Sequence, residues 1–139
     1  MLNQFFESIP YIAMRKGWDA ASVRQKVISN NIANVDTPHY KRSEVNFEDS
    51  FKQALEKAPK RLVGFHTDTM HIPINPPTDL NSVKPTIWRE NDTFTRADDN
   101  NVDIDVEMAE LAKNELMFNA LTDSLSRKLS GLKMAIRGR

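Results

Sequence analysis

Ten positions near the C-terminus limit the architecture more than any other feature of this chain. Stepping alternately by four and three from Ile104 gives Ile104, Met108, Leu111, Glu115, Phe118, Thr122, Leu125, Leu129, Leu132 and Ile136, and eight of these ten are apolar. A spacing that averages about 3.5 residues keeps one stripe of a helix in register with a second helix. It predicts a rod of roughly 50 Å from Ile104 to Ile136. Asp103 is placed to cap its start, with Asp105 and Glu107 against the positive end of the helix dipole and Lys133 and Arg137 against the negative end.

A weaker version of the same seam opens the chain at Ile9, Ala13, Lys16, Ala20, Val23, Val27, Asn30 and Asn34. Ser8 can cap it, and Pro10 is tolerated because first-turn N–H groups lack intrahelical partners. The helix is expected to stop near Asn34, because asparagine accepts the left-handed conformation and Pro38 disfavours helix at Thr37. Five of the seven prolines then fall between Pro59 and Pro85. Within this central part only "FEDSFKQALEKA", with Phe47, Phe51 and Leu55 four apart, predicts a short amphipathic helix, and "PTIWRE" a short strand. The expected fold is mainly α. An N-terminal helical arm (1–35) and a C-terminal arm (99–139) pair as an antiparallel coiled coil, and residues 36–98 form a turn, a short helix and an extended, proline-rich region with minor β content.

One partner helix cannot cover the C-terminal arm. Leu116, Met117, Phe118 and Leu121, extended by Ala112 and Ala120, occupy much more than one stripe. Such a surface is expected to pack against several neighbouring subunits.

Other chemistries find little support. Lysine plus arginine equals aspartate plus glutamate at 19 each, which gives no overall nucleic-acid or polybasic membrane signature. Cysteine is absent, removing thiolate catalysis and disulfides. The N-terminus has no Sec-type signal pattern, and no apolar run reaches the roughly 20 residues of a membrane span. An apolar face of Leu2, Phe5, Phe6, Ile9 and Ile12 is expected to pack against protein rather than lie on a bilayer. No nucleophile with its base, and no glycine-rich phosphate loop, is visible, so neither catalysis nor a cofactor is expected. His66, Asp68 and His71 in "HTDTMH" would hold a metal only if that loop folded back, and ordinary surface histidines are expected instead. Asp99, Asn101, Asp103, Asp105, Glu107 and Glu110 match the ligand places of a calcium loop. Its sixth place, however, is Ile104 rather than glycine, and the helical seam begins there.

The stretch "SNNIANVDTPHYKR" (29–42) reads in isolation as a helix stop followed by an ordinary turn. It also resembles the N-terminal signature of the flagellar axial proteins, the rod and hook components. The stretch from Asn100 to Ile136 looks like the C-terminal arm of that family's proximal rod members, and "TDTMHI" is similar to their central pattern. His39, and Asp99 before Asn100, depart from the family, which commonly places glycine at these junctions, where it would permit a positive φ.

The resemblance implies a structural subunit of the bacterial flagellar basal body in the periplasmic rod, exported by the flagellar type III machinery. Implied partners are itself and other rod subunits, the adaptor between membrane ring and rod, and the rod cap. It also implies assembly roles for Asn30, Asn31, Ile32, Ala33, Asn34, Thr37, Pro38, Tyr40 and Lys41. Asn30 and Asn34 would then lie on the seam and fix register, and Asn31 would point to a neighbouring subunit. Tyr40, Lys41 and Arg42 would anchor the emerging segment on an adjacent subunit, the cations pairing with carboxylates. Val23, Val27, Met108, Leu111, Leu116, Met117, Phe118, Leu121, Leu125, Leu129, Leu132 and Ile136 would pack the coil and its neighbours. Another axial subunit, or a coiled-coil adaptor unrelated to flagella, remains the alternative.

Overall fold

A computed structural model describes residues 6–57, 80–91 and 98–138. Helix α1 (Ile9–Ala33) leads through a turn to strand β1 (Ser43–Asn46) and helix α2 (Glu48–Lys57). A 3-10 turn (Leu80–Ser82), strand β2 (Thr86–Arg89) and helix α3 (Ile104–Arg137) follow. The chain is mainly helical, and its two long terminal helices pack together beside a small sheet. "TDTMHI", with His66, Asp68 and His71, lies outside the described residues, as does most of the proline-rich stretch.

Both long helices begin where the sequence places them. Asp103 is the N-cap of α3, its Oδ1 accepting from the N–H groups of Asp105 at 2.9 Å and Val106 at 3.5 Å. Ser8 is the N-cap of α1, yet its side chain makes no cap hydrogen bond; Pro10 in the first turn has no N–H to offer one. Asn34 ends α1 with φ −109°, so the left-handed stop expected there does not occur. Instead its side chain donates to Asn30 O at 2.8 Å, satisfying a last-turn carbonyl directly. Gly138, at φ 69°, closes α3, donating its N–H to Met134 O at 2.9 Å.

α1 is buried on two faces. One face packs Ile12 and Ala20 against Phe47, Phe51, Ala54 and Leu80, with Ala13, Leu55 and Val83 at the edge. This confirms the short amphipathic helix and gives it its purpose, which is to cover α1. Lys16 Nζ donates to Val83 O at 2.9 Å, fixing the 3-10 turn on the same side. The other face meets α3. Gly17 lies where an added Cβ would stand 3.4 Å from Leu121, Trp18 stacks at 5.3 Å on Phe118, and Asn114 reaches Ala21 and Gln25. These contacts run in opposite order along the two helices.

The strand expected at "PTIWRE" is β2. Its antiparallel partner β1, pairing Ser43 with Arg89 and Asn46 with Thr86, was not foreseen. Val45 is buried under the sheet, whereas Ile87 and Trp88 stay exposed.

Candidate assembly site at the junction of the two arms

The asparagine-rich end of α1 meets the asparagine pair before α3. Asn31 is 1% exposed and all of its polar atoms are engaged. Its Nδ2 donates to Ser43 O at 2.8 Å and to Glu107 Oε2 at 3.1 Å, while its Oδ1 accepts from Ser43 N at 3.0 Å and Tyr40 Oη at 3.3 Å. Asn31 therefore does not point to a neighbouring subunit. It occupies the contact between α1 and α3, while Asn30 is exposed and Asn34 caps its own helix. A side chain with two donors and two acceptors can hold helix, strand and carboxylate at once, as no apolar residue could.

Glu107, fully buried, accepts a charge-assisted hydrogen bond from Arg42 Nε at 2.5 Å. Arg42 Nη1 also lies 3.5 Å from Glu44 and from Glu90. Burial by itself would lower the Arg42 pKa, but the hydrogen bond and charge of Glu107, followed by Glu44 and Glu90, hold it above its ordinary value. The cations after Tyr40 were expected to reach carboxylates of another subunit. Arg42 instead reaches carboxylates of its own chain, because β1 turns back beside α3.

Asn100, also fully buried, closes the second half of the junction. Its Nδ2 lies 3.0 Å from the carbonyls of Asn34 and Val35 and 2.9 Å from that of Thr37, and its Oδ1 accepts from Val102 N at 2.8 Å. Asn101 Oδ1 accepts from Arg42 N at 2.6 Å, and its Nδ2 donates to Glu90 O at 2.9 Å. The side chains of Asn31, Asn100 and Asn101 thus sew the exit of α1 to the entry of α3. Among the described residues, two that are not glycine lie in the left-handed region, His39 (φ 60°) and Asp99 (φ 62°), the junction positions at which the resemblance leads one to expect glycine. They face one another, with His39 Nδ1 3.3 Å from Asp99 Oδ2, and His39 N donates to Asp98 O at 2.9 Å.

The seam of α3 is offset from the sequence reading at alternate positions. Leu111, Phe118, Leu125 and Leu132 are part-buried. Between them, Glu107 and Asn114 are buried and Leu121 is part-buried, whereas Met108, Glu115, Thr122 and Leu129 are exposed, Thr122 Oγ1 accepting from Trp18 Nε1 at 3.1 Å and donating to Phe118 O at 2.8 Å. Periodicity favoured Met108 over Glu107 because it ranks apolar side chains inward, and the polar partners that reverse the ranking lie far away in sequence. Leu116 is 75% exposed, Ile136 69%, and Met117 lies near the boundary at 39%. On α1, Val27 is buried and Val23 and Ile32 are part-buried, while Ala33, Thr37 and Pro38 are exposed. The acidic run offers no calcium loop, since it is helical from Ile104 and Glu107 is engaged by Arg42.

Comparison with known proteins gives a consistent result. A family model described as "Flagella basal body rod protein" matches residues 15–41, which cover most of α1 and the turn after it. The chain is 40% identical over 118 residues, 85% of each chain, to flagellar basal body rod protein FlgB of Bacillus subtilis (strain 168). It is 28% identical to the Borreliella burgdorferi protein of that name, over 98% of this chain and 100% of the relative. With the Escherichia coli (strain K12) protein it shares 31% identity over 78% of this chain and 79% of the relative.

Proposed function

The chain belongs to the family of flagellar basal body rod proteins, and from that premise we infer how its two arms serve a rod. It is a structural subunit of the proximal rod of the flagellar basal body, not an enzyme, and it associates with other basal body components. In our reading the arms, 1–35 and 99–139, wind as an antiparallel coiled coil on which the central residues 36–98 are mounted. Copies polymerise through the outward faces of these helices, joining the membrane ring to the rest of the rod. The ring adaptor, other rod subunits and the rod cap are its neighbours, and the flagellar type III machinery carries it to the periplasm.

One observation carries this reading. α1 leaves apolar side chains of α3 uncovered, with Ile104, Met108 and Leu116 at 45%, 51% and 75% exposure. Contiguous apolar surface of that kind marks a contact surface. The residues of the signature divide between two tasks. Asn31, Asn34 and Tyr40 hold the junction, and Asn30, Ala33, Thr37 and Pro38 present its outer surface to neighbours.

The test compares two substitutions. Leu116→Asp places a charge on the exposed face, so the purified chain should keep its helix content and unfolding midpoint while disappearing from isolated basal bodies and abolishing motility. Phe118→Asp strikes the Trp18 stack within the molecule and should lower the unfolding midpoint itself. Normal incorporation of the Leu116→Asp chain would overturn the assembly role of this face.

A further inference from the structure

A groove of about 580 Å³ runs between the helix pair and the β1 edge, its floor formed by Val27, Ile28, Val45, Val106 and Met117. Its five carboxylates outnumber its three cations. Arg24 pairs with Glu48 at 2.7 Å, Arg42 with Glu107, and Lys113 with Glu110 at 3.1 Å, so the acidity of the groove is the excess of two carboxylates over cations, Glu44 and Asp49. Asn114 also lines it and is 3% exposed. Because its Nδ2 donates to Ala21 O at 3.0 Å and Gln25 Oε1 at 2.8 Å, the amide orientation is fixed and Oδ1 is the free acceptor, with no partner among the described residues. A buried acceptor without a donor is costly unless something supplies one. An apolar floor, an acidic rim and an unmet acceptor together describe a receptor for a cationic amphipathic segment.

The same chain carries such a segment. From Ser124 to the C-terminus every charged side chain is a cation, whereas from Asp98 to Glu110 every one is an anion. The helix dipole accounts for charge within the last turn only, and Arg127 and Lys128 lie more than two turns before the end of α3. The segment also outruns α1. Leu121 lies at Gly17, only about eight residues into α1, yet α3 continues for about sixteen residues beyond Leu121. Leu129, Met134 and Ile136 on this overhang are 46%, 57% and 69% exposed.

We propose that the groove receives the cationic C-terminal end of α3 from a second copy of this chain. This rests on the rod-subunit reading and specifies which surfaces meet. The contact is heterologous, groove to tail, so it repeats along an open array rather than closing a dimer. Leu132 and Ile136 enter the apolar floor, and Lys133 or Arg137 provides the donor for Asn114 Oδ1 and neutralises the rim.

Because cysteine is absent, engineered thiols report the contact cleanly. Lys113→Cys marks the groove and Met134→Cys the tail. With a short bis-maleimide, mixing the two single variants of the purified chain should give a dimer, the double variant a ladder, and neither single variant alone a product. The same crosslink should form in isolated basal bodies. Lys133→Glu with Arg137→Glu should cut the yield about tenfold, and adding Glu110→Lys to the groove copy should restore much of it. Equal crosslinking of each single variant to itself would overturn the proposal in favour of a two-fold contact. Basal bodies that contain the chain without a 113–134 crosslink would overturn it while leaving the rod reading intact, and absence from basal bodies would instead defeat that reading. Sedimentation of the unmodified chain with phosphatidylglycerol vesicles, lost on the tail charge reversal and unaccompanied by a crosslink, would reassign the tail to the membrane surface.

Discussion

Arg42 and Glu107 lie 65 residues apart in sequence, and of the ion pairs at the junction theirs is the one with a fully buried carboxylate among the described residues. Removing a single partner leaves the other charge buried, so Arg42→Met should destabilise the chain by about 3–5 kcal/mol, read from urea unfolding. Arg42→Met with Glu107→Leu should recover most of that loss, because no uncompensated charge remains. His39 and Asp99 test the opposite idea. A left-handed residue other than glycine carries strain of about 1–2 kcal/mol, and glycine relieves it at an entropic cost of about 0.5–1 kcal/mol. His39→Gly should therefore hold or raise the melting temperature, whereas His39→Val should lower it. The turn around Pro38 was legible in the sequence. That His39 and Asp99 face each other was not, since nothing local to His39 encodes a partner 60 residues later.

The bounds of the helices are legible in the sequence, with α3 starting at Ile104 as its cap and seam require and α1 ending at Ala33 beside Asn34. The faces they bury are less so. Glu107 and Asn114 occupy seam positions because each has buried partners, and a pattern of hydrophobicity has no means of registering a partner. β1 escaped notice because "SEVN" offers only one apolar side chain. Gly17 gives a direct check on how closely α1 and α3 approach. Gly17→Ala brings a methyl to 3.4 Å from Leu121 and gains helix propensity, so it should be neutral or stabilising by up to about 1 kcal/mol; Gly17→Leu should force the helices apart and lower the melting temperature. Between α1 and α2 the Arg24–Glu48 pair adds a pH dependence. Burial would raise the Glu48 pKa, but the hydrogen bond and charge of Arg24 bring it below its ordinary 4.5. A carboxylate depressed in the fold stabilises it above its unfolded pKa, and the contribution fades as pH falls through the folded one. Melting temperatures followed from about pH 6 to pH 3 should fall less steeply for Glu48→Gln than for the unaltered chain.

Across the whole molecule, the described contacts that hold α3 to α1 lie at Asn114, Phe118 and Leu121, whereas the cations lie beyond them. A chain ending at Ser130 should consequently unfold within about 1 kcal/mol of the full one yet be lost from basal bodies. A large drop in its unfolding midpoint would mean that the overhang folds back on its own subunit. The division was only half visible beforehand: the crowded apolar positions around Leu116 announced neighbours, but not which end of the rod would be left bare. The amide of Asn100, spanning the carbonyls of Asn34, Val35 and Thr37, has a last consequence. It staples the departure and return points of the chain together, so the span between them starts and finishes at one fixed place. Lengthening that span should cost little, since doubling a loop adds only about 0.6 kcal/mol, whereas deleting α2 would uncover Ile12 and Ala20 on the first rod.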